Sequence, residues 1–276
     1  MNCCDIGSGY KKIWNTSSSV IQSISDRAIF VFAHPDDDVF ISGMMKKHLV
    51  SGLGIRAVWL TSGGYLGGRR RREQELTLAT SELGLSSKDY NLLRFPDLGL
   101  TAAMNEAASE LSEIFREFKP NTIFVTAFEG GHPDHDAANF IVYEARFRAR
   151  LDCGVFEFPL YNGAGSFLTW RWRINSFPPG GPETIFQPLE DIEINCKYNA
   201  MKIYSSQWMY MVPARLTRSK DVLKSRGEPY RPCPAIRDHS IPPHRGKLNY
   251  ERWFNSFMRI KFTDFARAVG RVRTFF

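Results

Sequence analysis

The chain has 276 residues, enough for one large domain with a substantial buried core or for two small ones. Hydrophobic residues make up 43% and charged residues 24%, as in ordinary soluble globular proteins, and no apolar run is long enough to cross a bilayer. The formal net charge of +7 suits a nucleic acid, an anionic lipid, an acidic substrate or merely a solvated surface; no recognised nucleic-acid motif accompanies it, so no nucleic-acid partner is expected.

Residues 28–33 form an apolar run of strand length that stops at His34-Pro35. A helical pattern follows from Asp38 to Val50 and is closed by Gly52 and Gly54. Residues 55–61 read as a second buried strand, residues 62–68 as a glycine-rich loop, and Arg69 to Leu85 as a helix stopping at Gly84. Residues 91–95 are a third strand, and Thr101 can cap a helix running to Lys119, before Pro120. Residues 122–127, rich in β-branched and aromatic side chains, predict a fourth strand; a helix over Asp136–Arg150 and a strand over 154–160 follow.

This alternation predicts an α/β fold: a Rossmann-like, mostly parallel sheet with helices on both faces, plus an irregular C-terminal cap. In such sheets ligands sit beyond the carboxyl ends of the strands. The chemically loaded segments His34–Asp38, Thr61–Gly64, Pro96-Asp97 and Glu129–His135 all begin there. The remainder is rich in proline and aromatics, with helical periodicity only over 195–204 and 250–269. It reads as a cap shaping one wall of the site. One domain over 1–276 is expected, with a core of about 26–160 and a cap and tail of about 161–276.

Five cysteines, Cys3, Cys4, Cys153, Cys196 and Cys233, form no C-x-x-C pair and read as reduced thiols. The first 25 residues lack a signal-peptide pattern. A cytoplasmic protein is expected; the basic tail reads first as a solvated helix face, with peripheral contact to an anionic membrane face or an acidic glycan as the alternatives.

Two clusters carry the chemistry. Ala33-His34-Pro35-Asp36-Asp37-Asp38 puts one imidazole and three carboxylates at the mouth of the sheet, where carboxylates repel unless a cation compensates them. A helix N-terminus accounts for one or two aspartates there, but not for the histidine. Gly131-His132-Pro133-Asp134-His135-Asp136 again follows a strand and opens a helix, and three of the chain's six histidines lie in these two segments. Two histidines and one aspartate are a usual ligand set for catalytic zinc, and a carboxylate left over is a natural general base. Non-haem Fe2+ shares that set.

With these two motifs the chain resembles the LmbE/PIG-L superfamily of zinc-dependent N-deacetylases, over roughly residues 28 to 210. Thr61-Ser62-Gly63-Gly64, Arg72 with Glu75, Leu83-Gly84, Phe95-Pro96-Asp97, and Lys197 with Ser206-Gln207 resemble further family segments. The resemblance implies Zn2+ bound by His34, Asp37 and His135, with Fe2+ or another divalent metal as the alternative. It implies Asp36 as general base, His132 as general acid or electrostatic partner, Asp134 as the residue orienting His132, and Arg72 as a hold on Asp36 or on substrate. Asp97 and His239 are expected to bind substrate, His239 as an oxyanion donor from the cap. The family pattern's tyrosine before the second motif is replaced here by Glu129-Gly130-Gly131, so a tyrosine donor must come from elsewhere. The implied substrate is an N-acetylated sugar, of a bacterial-type glycoconjugate rather than phosphatidylinositol, with Trp170, Trp172, Trp208 and Tyr210 available for stacking. An amidase or esterase for a non-sugar substrate, and a non-catalytic carbohydrate-binding protein, are the competing readings.

Overall fold

The computed structural model describes residues 26–64, 68–165, 173–252 and 260–273. Cys3, Cys4, Trp170, Trp172 and much of the helix expected over 250–269 lie outside them. Strand β1 (Arg27–Phe32) runs through the middle of the sheet, which is why it is apolar on both faces. Its neighbours are β2 (Gly54–Thr61) and β4 (Thr122–Thr126), both parallel to it. Outside these lie β3 (Tyr90–Phe95), parallel to β2, and β5 (Gly154–Phe158), parallel to β4.

The period of two decides which helix each residue meets. Phe30, Phe32, Trp59 and Phe124 pack under α1 (Ser42–Val50), α2 (Arg69–Leu83) and α5 (Asp191–Ile203). Ile29, Val31, Val58 and Val125 face α3 (Met104–Phe118), α4 (Pro133–Arg148) and α9 (Phe262–Arg273). Each such side chain contributes about 1.5–3 kcal/mol on burial.

Several boundaries differ from the sequence reading, each with a local cause. The helix expected from Asp38 is a 3-10 turn, Asp37–Phe40, followed by α1. Aspartate carboxylates there accept nearby backbone N–H groups, Asp37 from His34 at 2.8 Å and Asp38 from Asp36 at 3.2 Å, and so compete with a regular helix. Thr101 does not cap α3, which starts at Met104 after Ala103. Thr101 sits in a turn fixed instead by the Asp134 carboxylate, which accepts the N–H groups of Leu98 and Leu100. Helix α4 begins three residues before Asp136, at Pro133, with the His132 side chain as its cap.

The C-terminal part is less irregular than expected. After the short pair β6 (Tyr161–Asn162) and β7 (Arg173–Ile174) come β8 (Ile185–Gln187), α5, a 3-10 turn at Ser205–Gln207, α6 (Trp208–Thr217) and α7 (Lys220–Ser225). Strand β9 (Glu228–Pro232) then pairs antiparallel with β5, and β8 with β9, which gives a seven-stranded sheet of order β3-β2-β1-β4-β5-β9-β8. A four-residue helix, α8 (Asn249–Arg252), precedes α9. None of the described helices is long and apolar enough to cross a membrane.

Candidate active site

Strands β1 and β4 are adjacent, but the chain leaves them toward opposite sides of the sheet. Their carboxyl ends therefore open a crevice at a topological switch point. His34 to Asp38 leaves β1 and Glu129 to His135 leaves β4, so the two motifs meet across that crevice. The cleft there has a volume of about 410 Å³ and is lined by His34, Asp36, Asp37, Phe40, Gly64, Arg72, Asp97, Leu98, His132, His135, Leu160, Tyr161, Gln207 and Tyr210.

Ring nitrogens of His34, His132 and His135 lie within 4.8 Å of one another, and all three residues are buried. Asp37 touches two of them, with Oδ1 3.2 Å from His135 Nε2 and Oδ2 3.7 Å from His34 Nδ1. Behind His34, its Nε2 faces Asp134 Oδ2 at 3.2 Å and Asp97 Oδ1 at 3.1 Å. A carboxylate can only accept, so Nε2 carries a proton, and Nδ1 on the Asp37 side is the nitrogen that would exchange its proton for a metal. His135 Nδ1 is buried with no hydrogen-bond partner among the described residues. This donor set, two imidazoles and a carboxylate with a carboxylate-backed histidine and an orphaned ring nitrogen, fits a divalent metal ion.

His132 differs from the other two. Its Nδ1 accepts the Asp134 backbone N–H at 3.2 Å, so its lone pair is already engaged. Burial, and then the His34 and His135 rings, hold its pKa well below the usual imidazole value. The neutral ring therefore presents Nε2–H as a donor. The sequence reading had Asp134 orient His132; its backbone N–H donates to His132 Nδ1, while its carboxylate holds His34 and the Leu98–Leu100 turn.

Asp36 adopts a left-handed backbone conformation, φ 97°, uncommon for a residue with a Cβ and costly by about 1–3 kcal/mol. Its carboxylate is paired with Arg72, whose guanidinium also donates to the Pro35 carbonyl. Of Arg69–Arg72, Arg72 alone is buried and lines the cleft. Gly63 makes room for it, since a Cβ there would lie 2.8 Å from Arg72 Nε. Burial pushes Asp36 up to about 6, against Arg72 and with help from Asp37. For Asp37 burial pushes upward too, but His135 and His34 win and hold it well below the carboxylate range. Burial would lower His34, yet Asp97, Asp134 and Asp37 outweigh it and keep that ring well above its usual value. Burial and neighbouring charges thus push two adjacent aspartates in opposite directions, Asp36 up and Asp37 down.

Other predicted residues separate. Asp97 lines the cleft and Gln207 and Tyr210 form one lip. His239 does not reach the cleft: it is fully buried among Phe128, Phe140 and Tyr143, with Nε2 3.0 Å from Asn139 Oδ1. Lys197 is also away from the cleft, buried against Glu228 at 2.6 Å. Ser206 serves Glu75, its N–H bonding Oε1 at 2.9 Å. Tyr161, which no motif marked, forms a wall against His135, the ring centroids 5.5 Å apart, and stacks on Tyr210. Glu129 holds Tyr161 in place by accepting the N–H groups of Leu160 at 2.8 Å and Tyr161 at 2.9 Å, and burial pushes that carboxyl up to about 7.

Fold and site together define a doubly wound α/β protein with a buried His/Asp cluster able to hold a metal ion. Residues 29–146 match the family model described as PIG-L, GlcNAc-PI de-N-acetylase. The chain is 31% identical over 174 residues to a 1D-myo-inositol 2-acetamido-2-deoxy-alpha-D-glucopyranoside deacetylase of Mycobacterium leprae (strain Br4923), covering 50% of this chain and 56% of the relative. It thus spans just over half the length of that curated relative. Among solved structures, a conserved protein of Thermus thermophilus shares the fold at a TM-score of 0.57 and 23% identity, over 79% of this chain and 99% of the other. A deacetylase of the teicoplanin biosynthesis pathway shares it at a TM-score of 0.59 and 16% identity, over 75% of this chain and 97% of the other.

Proposed function

We propose that this chain is a zinc-dependent N-deacetylase, one domain over 1–276, that removes the acetyl group from an N-acetylglucosamine-type sugar of a glycoconjugate, glycolipid or natural product. The observation that carries the reading is the division of labour in the cleft: a His34/Asp37/His135 donor set beside a spare carboxylate, Asp36, and a neutral imidazole, His132, that can only donate. The printed name of the mycobacterial relative, a deacetylase of a 2-acetamido-2-deoxy-glucopyranoside, supports the same chemistry.

A divalent metal held by His34, Asp37 and His135 would polarise the acetyl carbonyl and acidify a water at neutral pH. Asp36, held by Arg72 and pushed up to about 6, would take the proton from the water whose oxygen bonds to the acetyl carbon. His132 Nε2–H donates to the carbonyl oxygen as charge builds there, and this stabilisation is gained chiefly in the transition state. Protonated Asp36 then delivers its proton to the departing sugar nitrogen. The paired faces of Tyr161 and Tyr210, 20° from parallel, offer the sugar an aromatic wall. Two nitrogens and one oxygen suit Zn2+ and also Fe2+, so metal analysis decides between them. The expected location is cytoplasmic, peripheral to an anionic membrane face.

The test couples metal content to primary-amine release from a panel of N-acetylglucosaminides. Wild type should carry stoichiometric zinc and release amine. Asp36→Asn should keep the metal and lose turnover by about 10²–10⁴-fold; turnover within a few fold of wild type would remove Asp36 as the base. Metal with hydrolysis only of other amides would favour the non-sugar amidase, and metal-free protein that binds sugar would favour the binding protein.

A further inference from the structure

The left-handed backbone of Asp36, φ 97°, persists only if its surroundings fix it. Arg72 grips the Asp36 carboxylate and the Pro35 carbonyl, but neither contact holds the Asp36 peptide N–H. That N–H donates to Asp38 Oδ1 at 3.2 Å, and the Asp36 carbonyl accepts the Val39 N–H at 3.1 Å. The first of these depends on a side chain. An aspartate that bonds nearby backbone has several local arrangements open to it, so something outside the motif must select this one.

Tyr204, 166 residues further along the chain, supplies that contact. Its hydroxyl donates to the same oxygen, Asp38 Oδ1, at 2.8 Å, and both residues are fully buried. The other oxygen, Asp38 Oδ2, has no hydrogen-bond partner among the described residues, so the Tyr204 hydroxyl is what anchors this carboxylate from beyond the motif. Tyr204 lies at the end of α5, and its carbonyl accepts the Gln207 N–H at 2.9 Å, within the 3-10 turn that brings Gln207 to the lip of the cleft. One residue of the C-terminal half thus reaches toward Asp36 with its hydroxyl and toward the lip with its carbonyl.

We propose that Tyr204 is a positioning residue for the general base: its hydroxyl, acting through Asp38 Oδ1, fixes the Asp36 backbone and so aims the Asp36 carboxylate into the cleft. Tyr204 touches neither substrate nor the reacting atoms. It acts by geometry, because a group displaced by about 1 Å from its productive position can lose about 10²-fold in rate. The role rests on the deacetylase reading, in which Asp36 moves the proton.

The experiment compares wild type with Tyr204→Phe, which keeps the ring and the carbonyl and removes only the hydroxyl. Metal content should stay stoichiometric and KM for an N-acetylglucosaminide should stay within about twofold, while kcat falls by about 10–100-fold. A kcat within about twofold of wild type, or a loss carried by KM or by metal content, overturns the proposal. Asp38→Ala should lose at least as much in kcat, and adding Tyr204→Phe to it should cost nothing more, because both act through one hydrogen-bonded chain. Losses that multiply would make the two residues independent and overturn it. Crystal structures of metal-loaded wild type and Tyr204→Phe give a readout that needs no turnover: in the variant the Asp36 N–H should part from Asp38 and the Asp36 carboxylate should shift. An Asp36 that stays in place overturns the proposal. Wild type that releases no amine from any sugar loses the deacetylase reading, and the two crystal structures still decide what holds Asp36.

Discussion

At the scale of single residues, the decisive feature is what each imidazole has already committed. His34 and His135 can offer lone pairs to a metal, whereas the His132 lone pair accepts the Asp134 N–H. His132→Ala should therefore retain full metal content while kcat falls by about 10²–10³-fold, the usual loss for one oxyanion donor. Loss of metal in that variant would make His132 a ligand and point to the three-histidine set instead. His34, Asp36, Asp37, His132 and His135 were legible in the sequence because two short motifs each place several of them after a strand. Arg72 was named only through the family pattern, because within the run Arg69–Arg72 the face of α2 that meets Asp36 depends on packing. His239 misled for the converse reason: an imidazole in a charged tripeptide looks available, and only the fold shows it enclosed by Phe128, Phe140 and Tyr143. Tyr161 carries no motif at all; its role comes from Glu129 clamping its backbone beside His135.

At the scale of elements, β1, β2 and β4 were readable because central parallel strands are uninterrupted apolar runs. Strand β9 was not: Glu228-Pro229-Tyr230-Arg231-Pro232 has two prolines and forms short ladders, three pairs with β8 and two with β5. Yet β9 secures the helix that follows the first motif. Glu228 accepts the N–H groups of Gly43 at 3.0 Å and Met44 at 2.8 Å, in the first turn of α1, and is bridged by buried Lys197, which also donates to the Val39 carbonyl. A carboxylate from a distant strand thus does the work of an N-cap. Glu228→Ala leaves the Lys197 ammonium buried without its counter-charge and should cost about 3–5 kcal/mol in chemical denaturation. Lys197→Met/Glu228→Gln should recover part of that loss, because removing both charges is cheaper than stranding one. A double variant no more stable than Glu228→Ala would show that capping, and not the ion pair, dominates.

At the scale of the whole molecule, the alternation of strand and helix identified the parallel core, but nothing local showed how the C-terminal half attaches to it. The attachment runs through Glu157 on β5, fully buried and paired with Arg231 Nε of β9 at 2.7 Å and with Arg237 Nη1, beyond β9, at 2.6 Å. Burial would raise this carboxyl, but Arg237 and then Arg231 overcome it and hold the pKa below the ordinary 4.5. A carboxyl whose folded pKa is depressed stabilises the protein fully above its unfolded value and ceases to do so as pH falls through the folded one. The urea midpoint of wild type should thus be insensitive to Glu157 near neutrality and fall with acid below about pH 4.5. Glu157→Gln strands two buried guanidinium groups and should cost about 3–5 kcal/mol at pH 7. Because the substituted amide cannot titrate, the gap between variant and wild type should close as pH drops below that value. Urea melts of both proteins between pH 7 and pH 3 test this, and a gap that stays constant across the range would mean that the junction between the parallel core and the C-terminal strands does not rest on the Glu157 charge.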